Sequence, residues 1–148
     1  RLKVAGEESG MALLISSTGE ILKCDFGGFV EPEMTKGRYV VCLSPKFVSR
    51  GRLITIVPLS TTAPNPPESW HHQLATVLPQ NEGKDIVVWA KCDMLMAASF
   101  TRLSPWWVNK TERGKRVYEP VLVSAEDLKA IKIGVLYSLG LAGLTPHL

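Results

Sequence analysis

The chain has 148 residues, of which 45% are hydrophobic and 21% charged, so one domain can bury a full core and the composition is not that of a disordered chain. The net charge of +3 permits an anionic partner without requiring one. Cys24, Cys42 and Cys92 are odd in number, widely spaced and without a CxxC pair, which argues against a disulfide framework and a zinc site and for buried thiols in a reducing cytoplasm.

The first ten residues, "RLKVAGEESG", carry two acids and no apolar signal core. They read as a tag, processing remnant or disordered arm, with a single domain over 11–148. No apolar run reaches the ~18 residues that would span a bilayer, so no membrane partner is expected. A strand is predicted over Ile21–Phe26, broken by Gly27-Gly28. A loop over 27–37 leads to a second strand, Tyr39–Leu43, with Arg38 at its entrance. The third strand is Leu53–Leu59, rich in β-branched residues, where Pro58 argues for a sheet edge or a last rung. The proline-rich stretch "STTAPNPPES" is a loop. Trp70–Leu78 reads as a fourth strand, and "PQNEGKD" as a turn-rich link. Ile86–Ala90 follows as a fifth strand, apolar enough for burial on both faces. A short sixth strand is placed at Phe100–Leu103, and the basic turn "NKTERGKR" precedes Val117–Val123.

A helix begins at Ser124, which with Asp127 three residues on fits a capping box, Asp standing in for the usual Glu. Leu128, Ile131, Val135 and Leu139 fall on one stripe of it. Short strands closed by a terminal helix make a mainly β fold, either a small barrel or a compact sheet with a docked helix.

Four stretches in order carry a resemblance: "GEILKCDF" (19–26), "PEMTKGRYVVCLSP" (32–45), "ITIVPLSTT" (54–62) and "VVWAKCDMLMA" (87–97). Together they resemble the MazF/PemK family of endoribonuclease toxins from bacterial type II toxin–antitoxin systems, over residues ~19–141 by motif order within one domain. The resemblance implies an SH3-like barrel of five to seven strands with a C-terminal α-helix, usually a homodimer. It further implies metal-independent cleavage of single-stranded RNA in the bacterial cytoplasm, inhibiting translation and growth. A cognate antitoxin with a disordered acidic tail would neutralise it. No cofactor is implied.

The resemblance assigns roles residue by residue. Arg38 matches the family arginine that holds the scissile phosphate, where a guanidinium fork suits the charge gained by a pentacoordinate phosphorus. From the residues alone it would read as a solvated cation at a strand mouth. Ser60 matches the threonine of V-P-x-[ST], with Thr61 as a neighbour that keeps the hydroxyl; both equally begin a loop. Glu33, five residues before Arg38, is placed as general base, as a holder of Arg38 or as an ordinary loop acid, with Glu31 beside it. Lys91 and Asp93 match a basic-x-acidic pair, with lysine where arginine is usual, so paired phosphate contact is weakened. The alternative for that pair is a strand-end salt bridge.

Tyr39 stands where most members have proline, and Pro32 where some have histidine. His71 and His72 are adjacent on a strand, so at most one can face a groove. Lys36, Lys46, Arg50 and Arg52 are placed as phosphate contacts. The segment 23–60 carries six basic residues against Asp25, Glu31 and Glu33. Phe29, Tyr39, Trp70, Trp106 and Trp107 are placed as surfaces for splayed bases, with core or dimer interface as the alternative for one of the two adjacent tryptophans. The reaction expected is attack of a 2′-hydroxyl on the neighbouring phosphorus, leaving a 2′,3′-cyclic phosphate and a 5′-hydroxyl. The alternative is a non-catalytic relative on the same fold, acting by RNA binding or, like a gyrase poison, by protein binding.

Overall fold

The computed structural model describes residues 18–45, 52–105, 107–110, 113–114, 116–118 and 120–148. Seven strands form one antiparallel sheet: β1 (Ile21–Cys24), β2 (Arg38–Cys42), β3 (Leu53–Ser60), β4 (His71–Gln73), β5 (Trp89–Lys91), β6 (Met96–Ser99) and β7 (Leu103–Pro105). Their order is β4-β5-β3-β2-β1-β7, with β6 also on β3. A separate ribbon pairs β8 (Trp107–Lys110) with β9 (Arg116–Tyr118), and one helix, α1 (Ala125–Ser138), follows. This is the expected small SH3-like barrel with its C-terminal helix.

The sheet curls because β3 changes partner along its length. Leu53–Ile56 pair with β6, and Leu59–Ser60 pair with β5. Pro58 sits inside this strand, fully buried and opposite Val40, not at an edge or last rung as the sequence suggested. It falls where β6 has ended and β5 has not begun, so its missing N–H leaves no rung unmade.

Alternation along the strands sends side chains into two cores. Leu22, Cys24, Val40, Cys42 and Ile56 share one with Phe26 and Phe100. Ile21, Val41, Val57, Leu59 and Ala90 share the other with Ile131 and Val135 of α1. The three cysteines are buried free thiols. Burial pushes the Cys24 thiol up to about 11 and that of Cys92 to about 12, with Asp93 adding to the latter. The helix comes close because Gly134 has no side chain: a Cβ there would lie 2.8 Å from Cys92 Sγ.

Three predicted elements differ. The fourth strand is only His71–Gln73, because the Ala75 and Thr76 N–H groups donate to the Asp127 carboxylate at 3.0 and 2.7 Å instead of to a ladder. The fifth is Trp89–Lys91; Ile86 and Val87 lie outside it and are both 42% exposed, so that run is not buried on both faces. Phe100–Arg102 is a 3₁₀ turn joining β6 to β7, not a strand. Ser124 does cap α1, accepting from the Asp127 N–H at 3.1 Å. The reciprocal half of the box is absent, since the Ser124 N–H donates to Thr76 Oγ1 at 2.9 Å and Asp127 turns inward. Leu139 is the helix's C-cap and 56% exposed, so the apolar stripe stops at Val135.

Candidate active site

β2 pairs with β3 so that Val40 faces Pro58 and Val41 faces Val57. Continuing that register toward the strand ends brings Arg38 opposite Ser60. Arg38 Nη1 lies 3.5 Å from Ser60 Oγ, at the long end of hydrogen bonding. Ser60 is buried, and its Oγ also accepts from the Thr62 N–H at 3.1 Å. Arg38 Nε is buried and has no hydrogen-bond partner. An unused buried donor makes this guanidinium costly to hold, and its terminal nitrogens, which are not sealed, are the atoms an anionic oxygen could reach.

Two cavities meet at this arginine, and a third adjoins the second of them. The first, of about 370 Å³, is lined by Arg38, Ser60 and Thr61 with Lys23 and Tyr39, and among the described residues no carboxylate lines it. The second, of about 540 Å³, is bounded by the loop that carries Glu31, Glu33 and Lys36 into Arg38. The third, of about 330 Å³, is walled by Phe29, Met34 and Met96 and holds Glu33 and Asp93. Shared lining residues join them into one path, with Arg38 common to the first two and Glu33 to the last two.

Tyr39 lies on the opposite face of β2 from Arg38 and packs against the α1-side core, yet it borders the first cavity. Burial raises its phenol above the usual value. Lys91 stands opposite His71 across β4 and β5. Burial lowers its ammonium below the ordinary lysine value, Asp93 opposes that shift, and the Arg38 charge adds to it. Lys91 therefore lies within electrostatic reach of both Arg38 and Asp93.

His71 Nδ1 accepts the Glu68 N–H at 3.0 Å, which leaves the proton on Nε2, 3.9 Å from Asp93 Oδ1. His72 turns to the other face, with Nε2 2.7 Å from Asp127 Oδ1, so of the two only His71 lies near Asp93, and neither lines the three cavities. Glu33 Oε2 accepts the Val30 N–H at 2.9 Å and so braces its own loop, with no bond to Arg38 among those formed.

The remaining predicted residues divide. Lys36 and Thr61 are exposed on the path. Arg52 lies at the far end of β3, about 26 Å along the strand from Ser60 at ~3.3 Å per residue. Lys46, Arg50 and Trp106 fall outside the described residues. Trp70 is half-buried against the α1-side core, the Trp107 side chain lies outside the described groups, and among the described residues Phe29 and Tyr39 are the predicted aromatic groups on the path.

Sequence reasoning missed Lys23, Gln80, Asn81 and Arg102. Arg102 Nη1 donates to the carbonyls of Asp25 and Gly27 at 3.1 and 2.8 Å, and its guanidinium stacks 4.7 Å from the Phe29 ring centre. It pins the start of the loop that delivers Glu33 and Arg38. Nothing local in "FTRLSP" signals this, because the partners lie more than seventy residues away. Among the described residues no group of three or more His, Cys, Asp or Glu side chains could hold a metal ion, and no helix is long and apolar enough to cross a membrane.

Several solved structures share the fold. An endoribonuclease in complex with its cognate antitoxin, from a mycobacterial species, superposes with a TM-score of 0.56 at 14% identity, over 83% of this chain and 93% of that one. MazF from Deinococcus radiodurans gives 0.58 at 17% identity, over 84% and 96%. A MazE-MazF structure from the same organism gives 0.54 at 15%, over 85% and 96%. A search of curated protein sequences finds no match. The model of the family described as PemK-like, MazF-like toxin of type II toxin–antitoxin system matches residues 17–132, most of the chain and all of the arginine-centred path. The chain belongs to that toxin family.

Proposed function

We propose that this toxin is a sequence-selective endoribonuclease that cuts single-stranded RNA and is held inactive by a cognate antitoxin. The observation that carries the reading is Arg38: a half-buried guanidinium with an unpartnered Nε, one long bond to Ser60 Oγ, and a carboxylate-free cavity beside it. Its terminal nitrogens remain open to phosphate oxygens, and Lys91 adds a second positive charge nearby.

In the proposed reaction the 2′-oxygen attacks the adjacent phosphorus, the P–O5′ bond breaks, and the 5′-oxygen takes a proton. Arg38 stabilises the charge gained on the phosphoryl oxygens. Ser60 and Thr61 orient that phosphate through their hydroxyls. Of the two carboxylates, Asp93 is the better placed to accept the 2′-proton, since Glu33 is already engaged with the Val30 N–H. His71, with its Nε2 proton facing Asp93, is the group that would relay a proton along the path. Lys36 and Lys23 line the approach as phosphate contacts. The scheme needs a base, an acid and charge stabilisation, all supplied by side chains.

The basic, carboxylate-free cavity is also the surface an acidic antitoxin tail would cover, and a homodimer would present two such paths. The test is to incubate the purified chain with long single-stranded RNA in excess EDTA and map the new ends. Discrete cuts ending in cyclic phosphate and 5′-hydroxyl support the reading. Intact RNA with folded, antitoxin-free protein would send the function to the non-catalytic alternative.

A further inference from the structure

The carboxylate-free cavity beside Arg38 has a far wall that the phosphate chemistry does not use. After Leu78 the chain makes a short 3₁₀ turn, Pro79–Asn81, that folds over the ends of β2 and β3. The turn's backbone is satisfied internally: the Asn81 N–H donates to the Leu78 carbonyl at 2.8 Å, and the Asn81 carbonyl accepts the Lys84 N–H at 3.0 Å. Lys84 Nζ closes on the Gln80 carbonyl at 2.9 Å. The two side-chain amides are left over. Asn81 is only 8% exposed, yet its carboxamide makes no hydrogen bond within the protein, and neither of its amide atoms is sealed from solvent. A nearly buried amide with no protein partner, bordering a cavity, offers a donor and an acceptor to a ligand.

The rest of the cavity narrows the ligand. Leu59, Leu78 and Val88 make apolar walls, and the Tyr39 ring joins them. Arg38 and Lys23 stand in the lining with no carboxylate to neutralise them. The volume of about 370 Å³ is within the ~300–1,000 Å³ range of small-molecule sites. Apolar walls with an amide edge and a cationic rim suit one nucleotide, its base inserted and its phosphate at the rim.

We infer that Asn81, assisted by Gln80, reads the base of the nucleotide whose phosphate lies on Arg38, and that the base is adenine. An asparagine or glutamine amide pairs with the adenine edge through two hydrogen bonds, N–H to a ring nitrogen and C=O from the exocyclic amine. Cytosine is ordinarily read by a carboxylate, which the described lining lacks, and the arginine and lysine that could read guanine, Arg38 and Lys23, are here assigned to the phosphate. The inference rests on the nuclease reading only for placing the phosphate at Arg38.

The test separates the two. Fluorescent 2′-O-methyl heptanucleotides, all uridine except for A, C, G or U at the centre, have no 2′-hydroxyl and remain uncut by this chemistry, so anisotropy reads binding alone. The wild-type full chain should bind the A-centred strand about ten-fold tighter than the others. Asn81→Leu, which keeps the approximate shape but removes both donor and acceptor, should bring the four within about two-fold. Gln80→Ala should shrink the preference about three-fold and guards against misfolding at position 81, with circular dichroism checking both variants. No binding, no base preference, an equal loss for all four strands, or a guanine preference abolished by Lys23→Ala would each overturn the inference. Cleavage of unmodified RNA in EDTA runs alongside. Loss of base preference in Asn81→Leu without any wild-type cleavage keeps the base site and removes the nuclease reading; cleavage without base preference does the reverse.

Discussion

Arg38 and Arg102 are both half-buried arginines beside the same loop, and they spend their donors differently. Arg102 uses one nitrogen on two backbone carbonyls and lays its plane on Phe29. Arg38 makes a single 3.5 Å bond and leaves Nε buried without a partner. The first arginine is committed to the fold, while the second is held ready by it. Burial and charge alone would not tell them apart; the account of donors does, because folding rarely leaves a buried cation unsatisfied unless a ligand completes it.

The comparison is broken most severely at Arg38. Arg38→Ala should slow RNA cleavage by about 10³-fold, the cost of losing a guanidinium that stabilises transition-state charge, while unfolding free energy changes by no more than about 0.5 kcal/mol. Single-turnover cleavage and urea unfolding on the same sample measure the two numbers.

Asp127 extends the contrast to an acid wholly committed to the fold. It is buried in the first turn of α1 and accepts from Thr76 Oγ1, the Ala75 and Thr76 N–H groups and His72. Burial alone would raise its pKa, but these bonds hold the carboxyl well below the usual range. Asp127→Ala should cost about 3 kcal/mol in urea unfolding. A depressed folded pKa means that the unfolded chain binds the proton first, so this stability is present above about pH 4 and is lost as pH falls further. The acid limb of the wild-type stability curve should flatten in the variant.

Arg102→Ala should cost about 1–2 kcal/mol of stability, from two charge-assisted hydrogen bonds and a cation–π contact partly open to water. Its cleavage rate should stay within about ten-fold of wild type. Glu20 gives the smallest effect. It is buried with Oε2 unpartnered, and burial pushes its carboxyl up to about 7. The folded state then binds the proton more tightly, so wild-type stability falls as pH rises from about 4.5 through 7. Glu20→Gln should raise the melting temperature by a few degrees at pH 8 and leave it unchanged at pH 4, as differential scanning calorimetry would report.

Much of the fold was legible because the signals were local. The β-branched run at 53–60, the apolar run after Arg38 and the Ser124 cap each specify their element within a few residues. The errors arose where a distant group overrode local preference. Trp70–Leu78 looks like a long strand, but Asp127, some fifty residues away, takes the N–H groups that would extend it. Pro58 looks like a strand end, but the exchange of β6 for β5 makes room for it mid-strand. At the site, Arg38 and Ser60 were legible through their motifs. Gln80 and Asn81 were not, because a turn-rich "PQNEGKD" carries no sign that it folds over a cavity. Arg102 was not, because its partners are backbone carbonyls, which no side-chain pattern reveals.

The most direct test of the central claim sets the two arginines against each other in one assay. Wild type, Arg38→Ala and Arg102→Ala would be incubated with the same single-stranded RNA in EDTA, at a temperature where calorimetry shows all three folded. The account predicts that Arg38→Ala keeps wild-type stability and loses cleavage, whereas Arg102→Ala loses stability and keeps cleavage. Comparable cleavage by Arg38→Ala and wild type would contradict it, and the unpartnered guanidinium would then have no part in the chemistry.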